Sequence, residues 1–313
     1  MTTAILYDAA GRDREIDLAG FDISTLGAEQ LLWVDGRRQD MASLPHLPAP
    51  MKDAVRAGEG HSGVEIFDTF YRFHVATWTQ HASEAPVITF VVAKSWLLTL
   101  SDPRPDFMDR FVETDRGETL KGRMTPSALA AALLSEHMVG YRTEIAGLDK
   151  AVDALDDTIL RAREKHAPLR TLAVLRRRIA NLRSSLDDLG ATIHALTRPD
   201  FFAHIDETDR AHFETLGRTH DRLEDMVVRA RETIFGSFDL YATRVAQDTN
   251  QLVKALTIVT VVTGIIGAAA GVFGMNFDTP FSHSGVAGFY LVTAGMVLSS
   301  FGILAVAYWR RWL

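Results

Sequence analysis

Two long uncharged stretches near the C-terminus constrain this chain more than any other feature. Between Ala255 and Phe277 the run "ALTIVTVVTGIIGAAAGVFGMNF" contains no acid and no base. A second stretch without Asp, Glu, Lys or Arg extends from Thr279 to Trp309, and its apolar part begins at Val286. As a helix, each is long enough to cross a hydrocarbon core of ~30 Å. A pair of core helices buried in a soluble domain has the same composition. The short connection between the runs, carrying proline, serine and glycine, points instead to a transmembrane hairpin. Basic residues orient it. Arg244 and Lys254 precede the first run, Arg310 and Arg311 follow the second, and the loop holds Asp278 with no lysine or arginine. The expectation is a multi-pass membrane protein with both termini cytoplasmic and the loop outside.

The rest of the 313-residue chain narrows the function classes. A net charge of −7 disfavours a general nucleic-acid role. The absence of cysteine excludes disulfides and thiolate metal sites. The first residues, "MTTAILYDAAGRDREIDL", have early acids and no basic region before an apolar core, so they do not read as a secretory signal. Neither HExxH nor a phosphate-binding glycine loop is present, so ATP-driven transport has no support. No constellation supports an enzyme. Ser101–Asp102–Pro103 reads as a turn, and the acid pairs Asp156–Asp157 and Asp187–Asp188 read as solvated helix faces. No cofactor is expected.

Upstream of the membrane runs the helical signal is strong. Ile145, Leu148, Val152, Leu155 and Ile159 alternate steps of three and four, and the rhythm resumes from Leu172 to Leu196. Such seams predict long helices packed side by side. Pro168 separates the first from the second, and Pro199 ends the second. A third helix is expected to start near Asp206 to Thr208, which can cap it. No proline follows until Pro280, so this helix can run from the cytoplasm through the bilayer. The first ~120 residues contain "TAILYD", "LLWVDG", "VEIFDTFYRFHVATW" and "PVITFVVAKSWLLTLSD", rich in β-branched and aromatic residues and bounded by turns. They predict a small α/β domain with a mixed sheet. The fold class expected is thus an α+β cytoplasmic domain with long coiled helices, followed by two C-terminal transmembrane α-helices. The boundaries read as an α/β domain over 1–122, a helical stalk over 123–251, a first span over 252–276, a loop over 277–286, a second span over 287–309 and a basic tail over 310–313.

On the first span, glycines at 264, 267, 271 and 274 are spaced three, four and three, which puts them on one helical face. Two readings fit: close helix packing through the GxxxG pair Gly267–Gly271, or a narrow pore whose missing side chains leave room for hydrated ions. Asn276 ends this face. It can cap the helix, or its amide oxygen can take part in a ring of neutral dipoles around an ion path. Such oxygens suit Mg²⁺, which dehydrates reluctantly.

The segment "YATRVAQDTNQLVKALTIVT", then "GVFGMNF", a short loop and a second span ending "YWRRWL", resembles the CorA family of divalent-cation channels. Glycine-Met-Asn at the end of the first of two C-terminal spans is that family's signature. The architecture is similar along most of the chain, while residue-level similarity is clear only from about Asp239. The resemblance implies a funnel-shaped homopentamer in the lipid bilayer, each long helix lining a pore for divalent cations. It makes Gly274, Met275 and Asn276 the selectivity filter, and Asp239 and Asn276 groups that meet the metal. It sets Asp239 on an acidic ring at the cytoplasmic pore end, Asn250 on a polar pore position, and Val253 and Leu256 on a hydrophobic gate. Thr260, Gly264, Gly267 and Gly271 continue the path. Asp278 would gather cations at the outer mouth through its field.

The chain also departs from that pattern. A proline common in the first span is replaced by "VTGIIG", and Gly264 and Gly267 stand where larger side chains are usual. The acid pair that senses cytoplasmic metal between subunits is not clear: Thr215 stands at one expected acid, with Glu214 and Asp221 nearby. His283 in the loop can favour Zn²⁺, Co²⁺ or Ni²⁺. His204, His212 and His220 recur every eight residues, a spacing that drifts about 80° per step and does not converge on one metal. The leading expectation is passive Mg²⁺ uptake driven by membrane potential. The alternatives are a Zn²⁺, Co²⁺ or Ni²⁺ transporter of the ZntB-like branch, and a membrane-anchored scaffold or sensor.

Overall fold

The runs rich in β-branched and aromatic residues form strands, and the heptad runs form long helices. The computed structural model describes all residues except 1, 19–20, 44–48, 57–62, 78–86, 115–119, 162–166, 276–284 and 311–313. The chain divides into two compact units, Met1–Leu155 with Arg170–Phe235, and Asp156–Leu169 with Gly236–Leu313.

In the first unit, β1 (Thr3–Asp8), β2 (Arg14–Glu15), β3 (Gln30–Gly36), β4 (Val64–Ile66), β5 (Phe70–Ala76), β6 (Val87–Ala93) and β7 (Trp96–Leu100) make one mixed sheet. The strand order is β2-β1-β3-β7-β6-β5-β4. β3 and β7 pair in parallel and the other neighbours antiparallel. Alternate residues of β3 serve opposite faces. Leu32 and Val34 join Val91, Leu98 and Leu100 in a core closed by Met41 of α1 (Arg38–Ser43) and Met51, Ala54 and Val55 of α2 (Ala49–Arg56). On the other face Phe73 stacks on Phe90 with centroids 4.8 Å apart, and Trp33 meets Phe111 of α3 (Asp106–Thr114) edge-on at 6.0 Å. A buried carboxylate on this face is satisfied locally. Trp33 Nε1 donates to Thr99 Oγ1 at 3.0 Å, Thr99 donates to Asp35 at 2.5 Å, and Arg104 pairs with Asp35 at 3.0 Å. Burial nevertheless pushes the Asp35 carboxyl above the usual carboxylate range.

Helices cover the Trp33 face. α4 (Pro126–Arg161) opens with proline at its first position, where the missing N–H costs nothing, and Thr125 Oγ1 accepts from Ala128 N at 3.0 Å. Its neighbour α5 (Ala167–Leu196) approaches where Tyr141 Oη donates to the Ser185 carbonyl at 3.3 Å and Glu144 pairs with Arg178. Tyr71 of β5 bonds Ser127 of α4 at 2.9 Å and packs edge-on against Phe201 of α6 (Pro199–Phe202) at 5.0 Å. Thr192 of α5 donates to the His74 carbonyl at 2.7 Å. Every residue of both predicted seams is buried, from Ile145 to Ile159 and from Leu172 to Leu196.

α7 (Glu207–Gly274) is one unbroken helix of 68 residues, beginning in the first unit and ending in the second. It starts where the acids and threonine near 206–208 predict, with Glu207 and Asp209 in its positive first turn. In the first unit it carries its own seam: Phe213, Leu216, His220, Leu223, Val227, Ala230 and Ile234 are buried at alternating steps of three and four. The second unit holds the rest of α7 and α8 (Gly285–Trp309). Both helices are long and apolar enough to cross a membrane, and only 6% and 0% of their most apolar windows are buried. Core helices of a soluble domain would be mostly buried. The exposure therefore favours the membrane hairpin over the buried pair.

Candidate functional site

A helix that must both hold a neighbour and face an ion path needs two different stripes, and the membrane part of α7 has two. At about 100° per residue, Asp239, Asn250, Val253, Leu256, Thr260, Gly264, Gly267, Gly271 and Gly274 fall within about 120° of arc. Ile258, Val261, Ile265, Ala269 and Phe273 form a second stripe centred roughly 150° away. This second stripe, with Ile303, Val306 and Ala307 and with Leu291, Val292 and Met296, lines the groove between α7 and α8. Ile258 and Ala307 are its buried contacts, at 6% and 4% exposure.

The glycine stripe is turned away from α8. A Cβ added at Gly264, Gly267, Gly271 or Gly274 would meet no atom within 4 Å among the described residues, beyond the backbone of its own helix turns. Packing within one chain is thus not what these glycines serve. Nearer the start of the stripe, Val253 and Leu256 are exposed at 54% and 66%. Asn250 is exposed, as is Asp239, which takes part in none of the ion pairs among the described residues. Asp248, by contrast, is held by Arg244 at 3.6 Å.

Thr260 shows how a hydroxyl is tolerated here. Its Oγ1 donates to the Leu256 carbonyl at 2.8 Å, one turn back along the helix. Thr257 and Thr263 do the same to Val253 and Val259, each at 2.8 Å. The single O–H is used inside the helix, so Thr260 presents only oxygen lone pairs outward, suited to a cation or to the hydrogens of its hydration water.

The stripe runs to the helix end. Gly274 is the last helical residue, and Met275 N reaches the Val272 carbonyl at 3.3 Å, with Met275 56% exposed. Asn276, Asp278 and His283 lie outside the described residues, as do the basic residue Arg311 and Trp312 of the tail.

Of the two acids considered for cytoplasmic metal, Glu214 is held by Arg210 at 3.1 Å. Asp221 stands beside His220 and Glu224, with one ligand atom from each of the three within 4.8 Å of the others. The eight-residue spacing of His204, His212 and His220 gives no hint of this group. His220 stands with acids next to it on the helix, and its ring lies edge-on to that of His194 on α5 with centroids 6.1 Å apart. The adjacency of His220, Asp221 and Glu224 was available in the sequence, but what fixes the ring was not. Its Nε2 lies 2.9 Å from the Leu186 carbonyl on α5.

Comparison with known proteins bears on the whole chain. A family model described as CorA-like Mg²⁺ transporter protein matches residues 29–309. The cobalt/magnesium transport protein CorA of Thermotoga maritima is 24% identical over 259 residues, covering 80% of this chain and 72% of that protein. The cobalt/magnesium transport protein CorA of Methanocaldococcus jannaschii is 26% identical over 166 residues, covering 53% of this chain and 52% of that protein. Among solved structures, the complete CorA magnesium transporter from Methanocaldococcus jannaschii aligns with a TM-score of 0.76 at 20% identity, covering 99% of this chain and 98% of that one.

Proposed function

The chain belongs to the family of CorA-like Mg²⁺ transporter proteins, and we propose that it is a passive divalent-cation channel that admits Mg²⁺. Its place is a bacterial-type inner membrane, with both termini in the cytoplasm. Five copies surround one path, and each contributes the α7 stripe from Asp239 to Gly274. Hydrated Mg²⁺ gathers at the Asp278 ring and is selected at Gly274, Met275 and Asn276 by neutral oxygens that contact its water shell. The glycines leave width for that shell. Thr260 oxygen and the Asn250 amide follow, then the Asp239 carboxylates. Val253 and Leu256 form a constriction that closes by dewetting and opens when the helices splay.

The observation that carries this reading is the separation of stripes on α7. The glycine and threonine stripe is open along its length, and the apolar stripe roughly opposite it holds α8. No fuel beyond the membrane potential is required. Inward movement of one charge gains about 2.3 kcal/mol per 100 mV, and a divalent ion gains twice that. No ionisable residue lies between Lys254 and Asp278, so the span offers no proton carrier.

The test is flux into proteoliposomes loaded with ion indicators, comparing Mg²⁺ with Zn²⁺ under an imposed potential. Mg²⁺ influx that requires the potential and disappears in Asn276→Ala is the expected result. Zn²⁺ influx without Mg²⁺ influx would replace the reading by the transition-metal alternative and give His283 a role. No flux of either ion, from folded and assembled protein, would leave a scaffold or sensor.

A further inference from the structure

Upstream of the glycine stripe on the same helix, in the first unit, one polar side chain is buried among the apolar residues of the α7 seam. His220 is 1% exposed. Its Nε2 lies 2.9 Å from the Leu186 carbonyl oxygen, and a carbonyl can only accept, so Nε2 carries the proton. In the neutral ring the lone pair then sits on Nδ1, and Nδ1 has no hydrogen-bond partner among the described residues. Buried acceptors are rarely left in that condition. The ring is also fixed sterically. A Cβ at Gly190 of α5 would stand 2.6 Å from its Cε1 and 2.7 Å from its Nε2, so the absence of a side chain at 190 makes the ring's place.

Two carboxylates flank this ring. Asp221 is the next residue and Glu224 is one turn further along the same helix face, both exposed. One ligand atom from each of His220, Asp221 and Glu224 lies within 4.8 Å of the other two. We propose that these three residues bind a transition-metal dication of the Zn²⁺ or Co²⁺ class, through the unpartnered imidazole nitrogen and two carboxylate oxygens. An imidazole with carboxylates suits such borderline ions, whereas Mg²⁺ prefers oxygen alone. The Leu186 carbonyl is the outer partner that sets the tautomer and orients the ring, as metal-bound histidines commonly require. The remaining coordination positions belong to water, because both carboxylates reach solvent.

This site is complete within one chain. It is therefore different from an acid pair shared between subunits, for which Thr215 offers no carboxylate and Glu214 is already held by Arg210. It also differs from the pore in chemistry, since the pore stripe contains no imidazole. Binding links a metal to the contact between α5 and α7, because the ring that takes the ion on one nitrogen holds Leu186 with the other.

The experiment titrates tag-free full-length protein in detergent with Co²⁺, with Mg²⁺ in large excess to fill oxygen-only sites. The position and intensity of the visible bands of bound Co²⁺ distinguish nitrogen-containing from oxygen-only coordination, and thermal melting reports the linkage. The expected result is Co²⁺ uptake that excess Mg²⁺ does not displace, with a raised melting temperature. Asp221→Asn with Glu224→Gln should weaken the affinity by roughly tenfold or more, since even outer partners of metal ligands contribute 10–100-fold. Both residues are exposed, so this double variant keeps the fold, and its melting without metal checks that. His220→Gln should shift the absorption bands to those of Co²⁺ held by oxygen alone. Affinity of the double variant within about twofold of the parent would overturn the proposal. So would uptake lost in His283→Ala but kept in the double variant.

Discussion

Adding methyl groups to the glycine stripe separates what the chain needs from what lies outside it. At Gly267 and Gly271 an added Cβ meets nothing within 4 Å among the described residues outside its own helix turns. Replacing glycine by alanine in a helix interior favours the helix by about 1 kcal/mol per site. Gly267→Ala with Gly271→Ala thus gains about 2 kcal/mol of helical preference and loses no packing inside the chain. Any loss of function must then come from groups beyond the chain, either another copy or the ion path. With the stripe facing the path, assembly should persist and melting should occur at or above the parent temperature. Mg²⁺ influx should fall by about tenfold, equivalent to about 1.4 kcal/mol added to the barrier. The assays are size-exclusion chromatography, thermal melting and proteoliposome flux on the same preparation. Parent-level influx through an assembled variant would refute the pore assignment of this face. Loss of assembly would instead favour the GxxxG reading, in which the stripe packs against a neighbouring helix.

The hydrophobic gate has a matching test. Val253→Asn with Leu256→Asn removes little in-chain packing, since both residues are more than half exposed. It should raise Mg²⁺ leak by hydrating the constriction, and an unchanged leak would exclude dewetting there. A third prediction concerns acid stability of the first unit. His137 lies between Phe107 and Tyr141, with ring centroids at 4.9 and 5.0 Å. Burial pushes its pKa down to about 4, Arg110 adds to the effect, and a hydrogen bond to Ala76 opposes it. The unfolded chain titrates this histidine near ~6.5. Between those values the folded state binds fewer protons, so the contribution is complete above ~6.5 and is lost as pH falls toward about 4. At about pH 5 the loss is about 2 kcal/mol. Denaturant unfolding followed by the buried Trp33 and Trp96 should show about 2 kcal/mol less acid sensitivity in His137→Gln; equal sensitivity would refute the assignment.

Local pattern revealed what depends on local pattern. The runs of β-branched and aromatic residues became β1, β3, β5, β6 and β7, and the seams from Ile145 and Leu172 became buried helix faces. β2, with two residues, and α1, with six, are too short for a period to register. The parallel pairing of β3 with β7 joins segments more than fifty residues apart, and nothing in either strand names its partner. The glycine stripe was legible because helical periodicity belongs to the sequence. Which side of the span holds α8 was not, because both spans are apolar all round and no moment distinguishes a face. That side emerged only from the groove that Ile258 and Ala307, both buried, line together.

His220 carries the last step. It occupies a position of the α7 seam at which Phe213, Leu216, Leu223 and Val227 are all apolar. A leucine there would bury more apolar surface and leave no nitrogen without a partner. The histidine does something a leucine does not: its ring fits only opposite Gly190 and bonds only where the Leu186 carbonyl is within reach. Sliding α7 along α5 by one turn would set the ring against a residue bearing a side chain and break that bond. A polar group at a seam position thus fixes register at a cost in stability, as single buried polar residues do in coiled coils. The ring's second nitrogen is not needed for register. An imidazole that uses one nitrogen to align two helices, leaves the other without a partner among the described residues and stands beside two carboxylates is built for a ligand as well as for packing. His220→Leu discriminates the two roles. If register alone matters, the variant should melt at or above the parent temperature without losing any metal-dependent shift; if the ligand role holds, the shift should vanish.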